Sequence, residues 1–408
     1  MAGLKYWVWL SEVKGLTNRS KLLLLDYFGT PENVYYADED EYRLVEGIEP
    51  RQIALLAEKS LENADRILGA CSRLGLRLLT MQDADYPMRL RNIFEPPCLL
   101  YVKGQLPVID EEVAVAMVGT RKASPYGIEA AEKIAYGLCK QGAVVISGAA
   151  AGVDSASHRG ALRAGGKTIA VLGNGLDVVY PAENAWLYRD IAASGALISE
   201  YPPGTAAEAW HFPVRNRIIS GLSLATIVVE APEKSGALIT ARHALEQGRD
   251  VFTLPGNLGN PTCAGNIQLL KQGAILVEEG WDILQEYTYL YPELPQRQRP
   301  AGPMTLTAQE AAGSVVVAET AAAPEKTDTK AVDKQENRAY IDVQEILPQV
   351  SPDEAAVLRL LEDGKQPVDR LIDETQLPAG RILSALTLLE VKGFVKRLPA
   401  RYYELAKK

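Results

Sequence analysis

The chain is poor in the residues that hold metal ions and disulfides, with 4 cysteines and 3 histidines among 408 residues. The cysteines lie far apart and form no Cys-x-x-Cys pair, which is typical of structural thiols in a reducing cytoplasm. His211 and His243 lack the spacing of metal ligands. We therefore expect no metal, no cofactor and a cytoplasmic location. The cysteines are Cys71, Cys98, Cys139 and Cys263.

Long apolar runs are also missing. No stretch approaches the roughly 18 consecutive apolar residues of a membrane-spanning helix, and the chain does not open on a basic segment followed by an apolar one. No membrane partner is expected. The formal net charge of -9 argues against a wholly basic protein that coats nucleic acid, so any such partner must meet a local basic patch.

The stretch from Val113 to Glu279 alternates short apolar runs with helical patterns, and glycines mark the turns. The runs mostly lack polar alternation, as expected when helices cover both faces of a parallel sheet. The sequence therefore predicts a Rossmann-like, doubly wound α/β domain. Its predicted strands are residues 113–118, 143–147, 168–172, 196–200, 225–231, 250–254 and 274–278.

Helical patterns fill residues 1–75, with one glycine turn at 13–16 and another at 45–48. These turns resemble paired helix–hairpin–helix units, whose amides can contact a phosphate backbone. The alternative is a small helical bundle in which glycines end the helices, and Glu46 favours it because a phosphate site avoids negative charge. Two short strands around a proline-rich turn, within residues 76–104, then lead into the main sheet.

Beyond the α/β domain, the sequence predicts a flexible tether and a small third domain. Residues 291–349 are rich in Ala, Pro, Glu, Thr and Gln and have too little large apolar surface to fold. Residues 350–408 show three helical patterns and a hairpin, the arrangement of a winged helix. That unit could bind DNA or contact a protein. The predicted domains are thus 1–75, 76–290 and 350–408.

The candidate binding residues follow the strands of the central domain. The carboxyl edge of a parallel sheet is the usual ligand side, where glycine turns and helix N-termini favour anions. Arg121 adds a permanently charged guanidinium group that can donate two parallel hydrogen bonds to a phosphate. A later cluster, within residues 212–217, combines two arginines with an aromatic ring. The candidates are Gly119, Thr120, Arg121, Ser147, Gly148, Phe212, Arg215, Asn216, Arg217, Ser235 and Gly236.

Enzymatic chemistry has weaker support in the sequence. Asp154 and His158 stand four apart on one helix face and suggest an acid–base pair, but a helix-capping aspartate and a packed histidine are the better explanation. No segment matches a Walker loop, and Gly119-Thr120-Arg121 is not a dinucleotide fingerprint. We predict no catalytic residue. A single glycine turn in an α/β domain usually has no binding function. The predicted binding site therefore depends on several glycine turns lying close together.

Together these motifs resemble the DNA-processing protein A family. The motifs are Val-Gly-Thr-Arg-x-x-Ser (118–124), Ser-Gly-x-x-x-Gly-Val-Asp-x-x-x-His (147–158), Ala-Val-Leu-Gly-x-Gly-Leu-Asp-x-x-Tyr-Pro (170–181), Phe-Pro-x-Arg-Asn-Arg-Ile-Ile (212–219) and Glu-Ala-x-x-x-Ser-Gly-Ala-Leu-Ile-Thr-Ala (230–241). The resemblance covers roughly residues 5–290, and the helical and winged-helix units match an arrangement common in the family.

The resemblance implies a homodimeric, non-enzymatic protein that binds and protects single-stranded DNA. It also implies a role in loading the RecA recombinase during natural transformation. Arg121 matches the family's DNA-binding arginine, residues 215–217 its second basic cluster, and residues 235–236 its third turn. Ala151 departs from the family, which often has a basic residue there, so one phosphate contact is in doubt.

Two other functions remain open at this stage. A Rossmann-like hydrolase of small nucleotides could use Asp154 or Glu230 in the same cleft, because fold does not fix function. A scaffold with an inert cleft could recruit partners through its tether and winged helix. Within the DNA-binding hypothesis, we expect Arg215 to hold a phosphate beside a base stacked on Phe212, and Arg217 to be at least partly structural.

Overall fold

The structure is a computed structural model that describes residues 3–257, 259–292, 294, 350–362, 364–375, 377, 379–398 and 402–406. The chain divides into two compact units, one ending at Pro295 and one beginning at Gln296. From residue 295 onwards, the tether predicted for 291–349 lies outside the described residues. No helix in the described ranges is both long enough and apolar enough to cross a membrane.

The first unit opens with short helices whose starts are set by side-chain caps. Thr17 accepts a hydrogen bond from the amide of Ser20, and Asp38 forms a reciprocal capping box. Gly15 and Gly47 have φ of 85° and 90°, so the turns alone account for both glycines. The helix–hairpin–helix interpretation stays a prediction. The helices are α1 (Leu4–Glu12), α2 (Asn18–Phe28), α3 (Pro31–Tyr36), α4 (Glu39–Arg43), α5 (Pro50–Leu56) and α6 (Glu62–Leu74).

The central sheet confirms the predicted doubly wound fold. Its strands are β1 (Arg77–Thr80), β2 (Leu99–Gly104), β3 (Ala114–Val118), β4 (Val144–Ser147), β5 (Thr168–Leu172), β6 (Ala196–Ser199), β7 (Ala225–Val228), β8 (Asp250–Thr253) and β9 (Ile275–Leu276). They lie in the order β1-β2-β6-β5-β4-β3-β7-β8-β9. The first two pairings in that order are antiparallel and the rest are parallel. The order reverses between β3 and β7, which defines a topological switch point.

Helices cover both faces of this sheet, as the unbroken apolar runs require. In β3, Val115 and Met117 pack with Ile134 of one helical layer, whereas Ala116 packs with Ile218 of the other. The helices are α7 (Met88–Arg91), α8 (Pro125–Lys140), α9 (Val153–Arg163), α10 (Ala185–Ser194), α11 (His211–Gly221), α12 (Gly236–Glu246), α13 (Ala264–Lys271) and α14 (Gly280–Leu284).

The N-terminal helices and the sheet share one hydrophobic core. Trp9 and Leu24 of the helical region pack in the same cluster as Tyr101 of β2, Ile191 of α10 and Leu197 of β6. The predicted domain boundary near residue 75 therefore stays a prediction, because the chain up to Pro295 forms one compact unit.

The second unit has the predicted winged-helix arrangement. Its helices are α15 (Pro352–Leu361), α16 (Val368–Thr375) and α17 (Ala379–Val391), and its strands β10 (Gln366–Pro367), β11 (Val395–Leu398) and β12 (Tyr402–Leu405) form a sheet in the order β10-β12-β11. Leu358, Leu371 and Leu386 are fully buried in its core. Three of its basic side chains pair internally, Arg370 with Glu374, Arg381 with Asp353 and Lys392 with Glu354. DNA binding and protein contact both remain predictions for this unit.

Candidate nucleic-acid interface

A cleft of about 430 Å³ lies at the switch point between β3 and β7. Three of the predicted segments meet there: the turn after β3, the start of α11 and the turn that leads into α12. Since ligands of open α/β sheets bind at this point, the location is that of a binding site. Of the predicted residues, the lining contains Gly119, Thr120, Arg121, Phe212, Arg215, Asn216, Ser235 and Gly236.

The turn after β3 is held by close backbone packing. A Cβ at Gly119 would lie 2.4 Å from a methyl group of Val153, so this position requires glycine. The amide of Thr120 donates to the carbonyl of Glu230 at 2.7 Å. At Gly152, where φ is 78°, a Cβ would lie 2.4 Å from the carbonyl oxygen of Thr120. The turns after β3 and β4 are therefore locked together.

Arg121 is exposed and extends over an aromatic ring at the cleft wall. Its guanidinium carbon lies 4.6 Å from the ring centroid of Phe212, a cation–π distance. The ring of Tyr180 stacks on Phe212 with a centroid separation of 5.5 Å and an interplanar angle of 29°. The guanidinium is thus presented to solvent on a fixed aromatic support.

Arg215 lines the cleft but is only 4% exposed. Its guanidinium donates to the carbonyls of Gly148, at 3.1 Å, and of Val171. Asp154 also lines the cleft, and burial raises the pKa of its carboxyl group although the charge of Arg215 acts in the opposite direction. Burial lowers the pKa of Arg215 itself. Much of the hydrogen-bonding capacity of Arg215 is used within the protein, and its phosphate contact stays a prediction.

Arg217 points away from the cleft, into a neighbouring groove. Its guanidinium pairs with Glu200 at 2.9 Å and donates to the carbonyl of Glu95 at 3.1 Å. Asn18, at the start of α2, donates to the same carboxylate at 2.8 Å. Burial would raise the pKa of Glu200, but the adjacent Arg217 lowers it below its ordinary value. This network joins α2, the end of β6 and α11.

The turn after β4 forms the floor beneath the cleft. Ser147 is fully buried and donates to the carbonyl of Met117 at 2.6 Å. A Cβ at Gly148 would lie 2.4 Å from the guanidinium of Arg215. Ala151, the predicted departure from the family, is partly exposed. Neither Ser147 nor Gly148 is among the lining residues.

The N-terminus of α12 opens onto the cleft. The hydroxyl of Ser235 accepts a hydrogen bond from the amide of Ala237 at 3.3 Å. The side-chain amide of Asn216 donates to the carbonyl of Gly236 at 3.3 Å. No described atom lies within 4 Å of a Cβ built at Gly236, so packing does not demand glycine there. Its bare backbone leaves room for a ligand at a helix N-terminus, which favours anions.

Three charged residues of the lining are not among the predicted binding residues: Lys122, Lys234 and Asp154. Both lysines are exposed. They lie inside turns that the sequence did single out, so their position beside glycines was the available signal. The lining contains four basic residues (Arg121, Lys122, Arg215, Lys234) and one acidic residue, Asp154. The cleft is therefore a local basic patch in an acidic chain.

Two of the three candidate catalytic groups, Glu230 and His158, are not among the residues that line the cleft. Glu230 is fully buried, and its Oε2 accepts from the amide and hydroxyl of Ser124, at 2.9 and 3.0 Å, at the start of α8. It therefore caps a helix. His158 is fully buried, with Nδ1 2.7 Å from the hydroxyl oxygen of Thr168, and burial lowers its pKa to about 3. No cluster of His, Cys, Asp or Glu in the described part of the chain could hold a metal ion.

A doubly wound sheet with a basic, glycine-lined cleft at its switch point is the arrangement of Rossmann-like proteins, in which that position is the usual place for phosphate-bearing ligands. Residues 77–288 match the family described as DNA recombination-mediator protein A, and residues 344–401 match its winged helix domain. The chain belongs to the DNA recombination-mediator protein A family.

Individual relatives agree with this assignment. The DNA processing protein DprA of Bacillus subtilis is 42% identical over 54% of this chain and 74% of its own length. Protein Smf of Synechocystis is 34% identical over 98% of both chains. The crystal structure of DprA from Streptococcus pneumoniae is 38% identical with a TM-score of 0.61, and the match covers 69% of this chain and 97% of that one.

Proposed function

We propose that the chain binds single-stranded DNA in the cleft between β3 and β7, without a catalytic step. The observation that carries this proposal is the convergence of the exposed Arg121, Lys122 and Lys234 on one cleft that also has an aromatic wall at Phe212. Cations that follow a phosphate backbone, combined with rings that meet bases, are the elements of single-strand binding. A duplex hides the faces of its bases, so an aromatic wall favours unpaired strands.

In this proposal the remaining predicted residues have supporting roles. The backbone of Gly119 and Thr120 and the N-terminus of α12 at Ser235 and Gly236 offer amides to phosphates. Asn216 holds the turn before α12 through its bond to the carbonyl of Gly236. Ser147, Gly148 and Arg217 fix the floor and the helix that carry these groups.

The wider role is likewise a proposal that the family assignment supports. The protein forms a homodimer in the cytoplasm, protects incoming single strands during natural transformation and helps load RecA on them. The family description, a recombination mediator, fits a protein that prepares a strand for a recombinase. Sedimentation analysis tests the dimer, and the rate at which RecA pairs a protected strand with a homologous duplex tests the loading.

Titration of a fluorescent oligo-dT, compared with a mononucleotide and a duplex of equal length, tests the central proposal. We expect the oligonucleotide to bind far more tightly than the mononucleotide and with a steep salt dependence, because several phosphates are contacted at once. Equal affinity for the mononucleotide, accompanied by its hydrolysis, would favour a nucleotide hydrolase. That alternative retains one supporting observation, the buried Asp154 in the cleft lining.

A further inference from the structure

The ring of Phe212 already has neighbours on several sides. Tyr180 stacks on it at 5.5 Å, and the guanidinium carbon of Arg121 lies 4.6 Å from its centroid. A Cβ at Gly173 would lie 3.0 Å from Cδ1 of Phe212, which shows how closely that backbone approaches the ring. A nucleobase at Phe212 would therefore share this ring with Tyr180 and Arg121.

Tyr180 differs from Phe212 because much of its surface is open. The residue is 39% exposed, and Phe212 covers one face of its ring. Among the described residues no second ring stacks on Tyr180, so the surface that it offers for stacking is the face opposite Phe212. The backbone around it is anchored, since the hydroxyl of the buried Tyr188 donates to the carbonyl of Tyr180 at 3.0 Å and accepts from its amide at 3.4 Å.

We propose that the outer face of Tyr180 is a stacking site for an unpaired nucleobase, one step beyond the cleft. Arg121 and Tyr180 both contact the ring of Phe212, so the three side chains form a preassembled cluster in which Arg121 meets a phosphate and Tyr180 meets the base. This inference rests on the proposed single-strand binding and adds a position outside the residues that line the cleft.

Two physical arguments favour this site. An aromatic ring held by its backbone and by a stacked neighbour loses little conformational freedom when a base binds, so more of the stacking free energy contributes to affinity. Trp210 is a larger exposed ring near the cleft, but its indole nitrogen donates to the Glu208 carboxylate at 2.5 Å. That carboxylate beside the indole would repel a strand's phosphates, whereas no carboxylate of the described residues hydrogen-bonds to Tyr180.

The test compares Tyr180→Leu and Tyr180→Phe in the full-length protein, with oligo-dT and with an abasic strand of the same length as probes. Loss of one base–aromatic stack should weaken oligo-dT binding by about fivefold to 150-fold in Tyr180→Leu, while Tyr180→Phe binds like wild type. The abasic strand has no base to stack, so Tyr180→Leu should bind it as wild type does. The salt dependence should not change, because no phosphate contact is lost.

Tyr136→Leu is the matched control, since Tyr136 is 42% exposed on α8, about 16 Å along the helix from its N-terminus. Equal oligo-dT affinity of Tyr180→Leu and wild type would overturn the inference, as would an equal loss on the abasic strand, which indicates a structural defect. If wild type binds oligo-dT and Arg121→Ala weakens it while Tyr180→Leu does not, only this inference fails. If wild type itself does not bind oligo-dT, the proposed function fails with it.

Discussion

Replacing Arg121 by alanine tests the cleft most directly, because the side chain is exposed and stands over Phe212 at 4.6 Å. Loss of one charge-assisted contact to a phosphate costs about 1.5–3 kcal/mol, so the oligo-dT dissociation constant should rise by roughly 10-fold to 150-fold. The logarithmic salt slope should become shallower by about 0.7, the value per phosphate for single strands. Folding stability should fall by only about 0.5–1 kcal/mol, the size of an exposed cation–π contact.

Fluorescence anisotropy with labelled oligo-dT across a salt series measures the dissociation constant and the salt slope, and urea unfolding measures the folding stability. Arg163→Ala is a suitable control, because Arg163 ends α9 about 15 Å from the cleft end of that helix and pairs with Glu132 at 3.0 Å. The control should bind like wild type. If Arg121→Ala keeps the wild-type affinity and slope at every salt concentration, Arg121 contacts no phosphate and the reasoning is refuted.

Three further predictions follow from the buried groups. Arg217→Ala should lower the free energy of unfolding by about 3 kcal/mol in urea, the lower end of the range for a buried pair, because the carboxylate of Glu200 is only 18% exposed and loses its cationic partner. Adding Glu200→Gln should restore part of the loss, and unchanged stability would contradict a structural role. The pKa of His158 is about 3 in the folded state and about 6.5 unfolded, so its stabilising contribution is complete above pH 6.5 and is lost as pH falls towards 3, by about 1.4 kcal/mol per pH unit. In thermal unfolding measured across pH, His158→Asn should lose less stability than wild type between pH 6.5 and 3. An equal loss in the two proteins would contradict this role of His158. A chain that ends after residue 295 should stay folded, and its affinity for oligo-dT should remain within about threefold of wild type. A chain that ends at Tyr291 should be less stable, because it lacks the buried Leu294. A tenfold loss of affinity in the longer of the two chains would show that the winged helix takes part in binding.

The sheet and the converging turns could be predicted because their signals are local. Short apolar runs bounded by glycines predict strands, and alternation with helices places the ends of all the parallel strands at one edge. The limits of individual strands were less predictable. The pattern at 225–231 suggests a strand to Ala231, but β7 ends at Val228 and Glu230 caps α8 instead. A carboxylate that caps a distant helix gives no local signal.

The burial of individual arginines was harder to predict. Arg215 and Arg217 stand two apart on α11, so a helical geometry already indicated that they face different directions. Which face of α11 meets the sheet depends on packing against β5 and the turn after β4, and no local pattern contains that information. As a result, the sequence did not show that Arg215 is even less exposed than Arg217.

The core that the N-terminal helices share with the sheet has a consequence for synthesis on the ribosome. That cluster begins at Trp7 and is completed by Ile191 and Leu197. Chains emerge at about 5–20 residues per second, so helices finished near residue 75 must wait on the order of 6–24 seconds for their last core partners. During that interval Trp9, Leu24 and their neighbours cannot all be buried. The nascent N-terminus is therefore a site where a chaperone would bind, and slow translation near residue 100 would prolong that exposure.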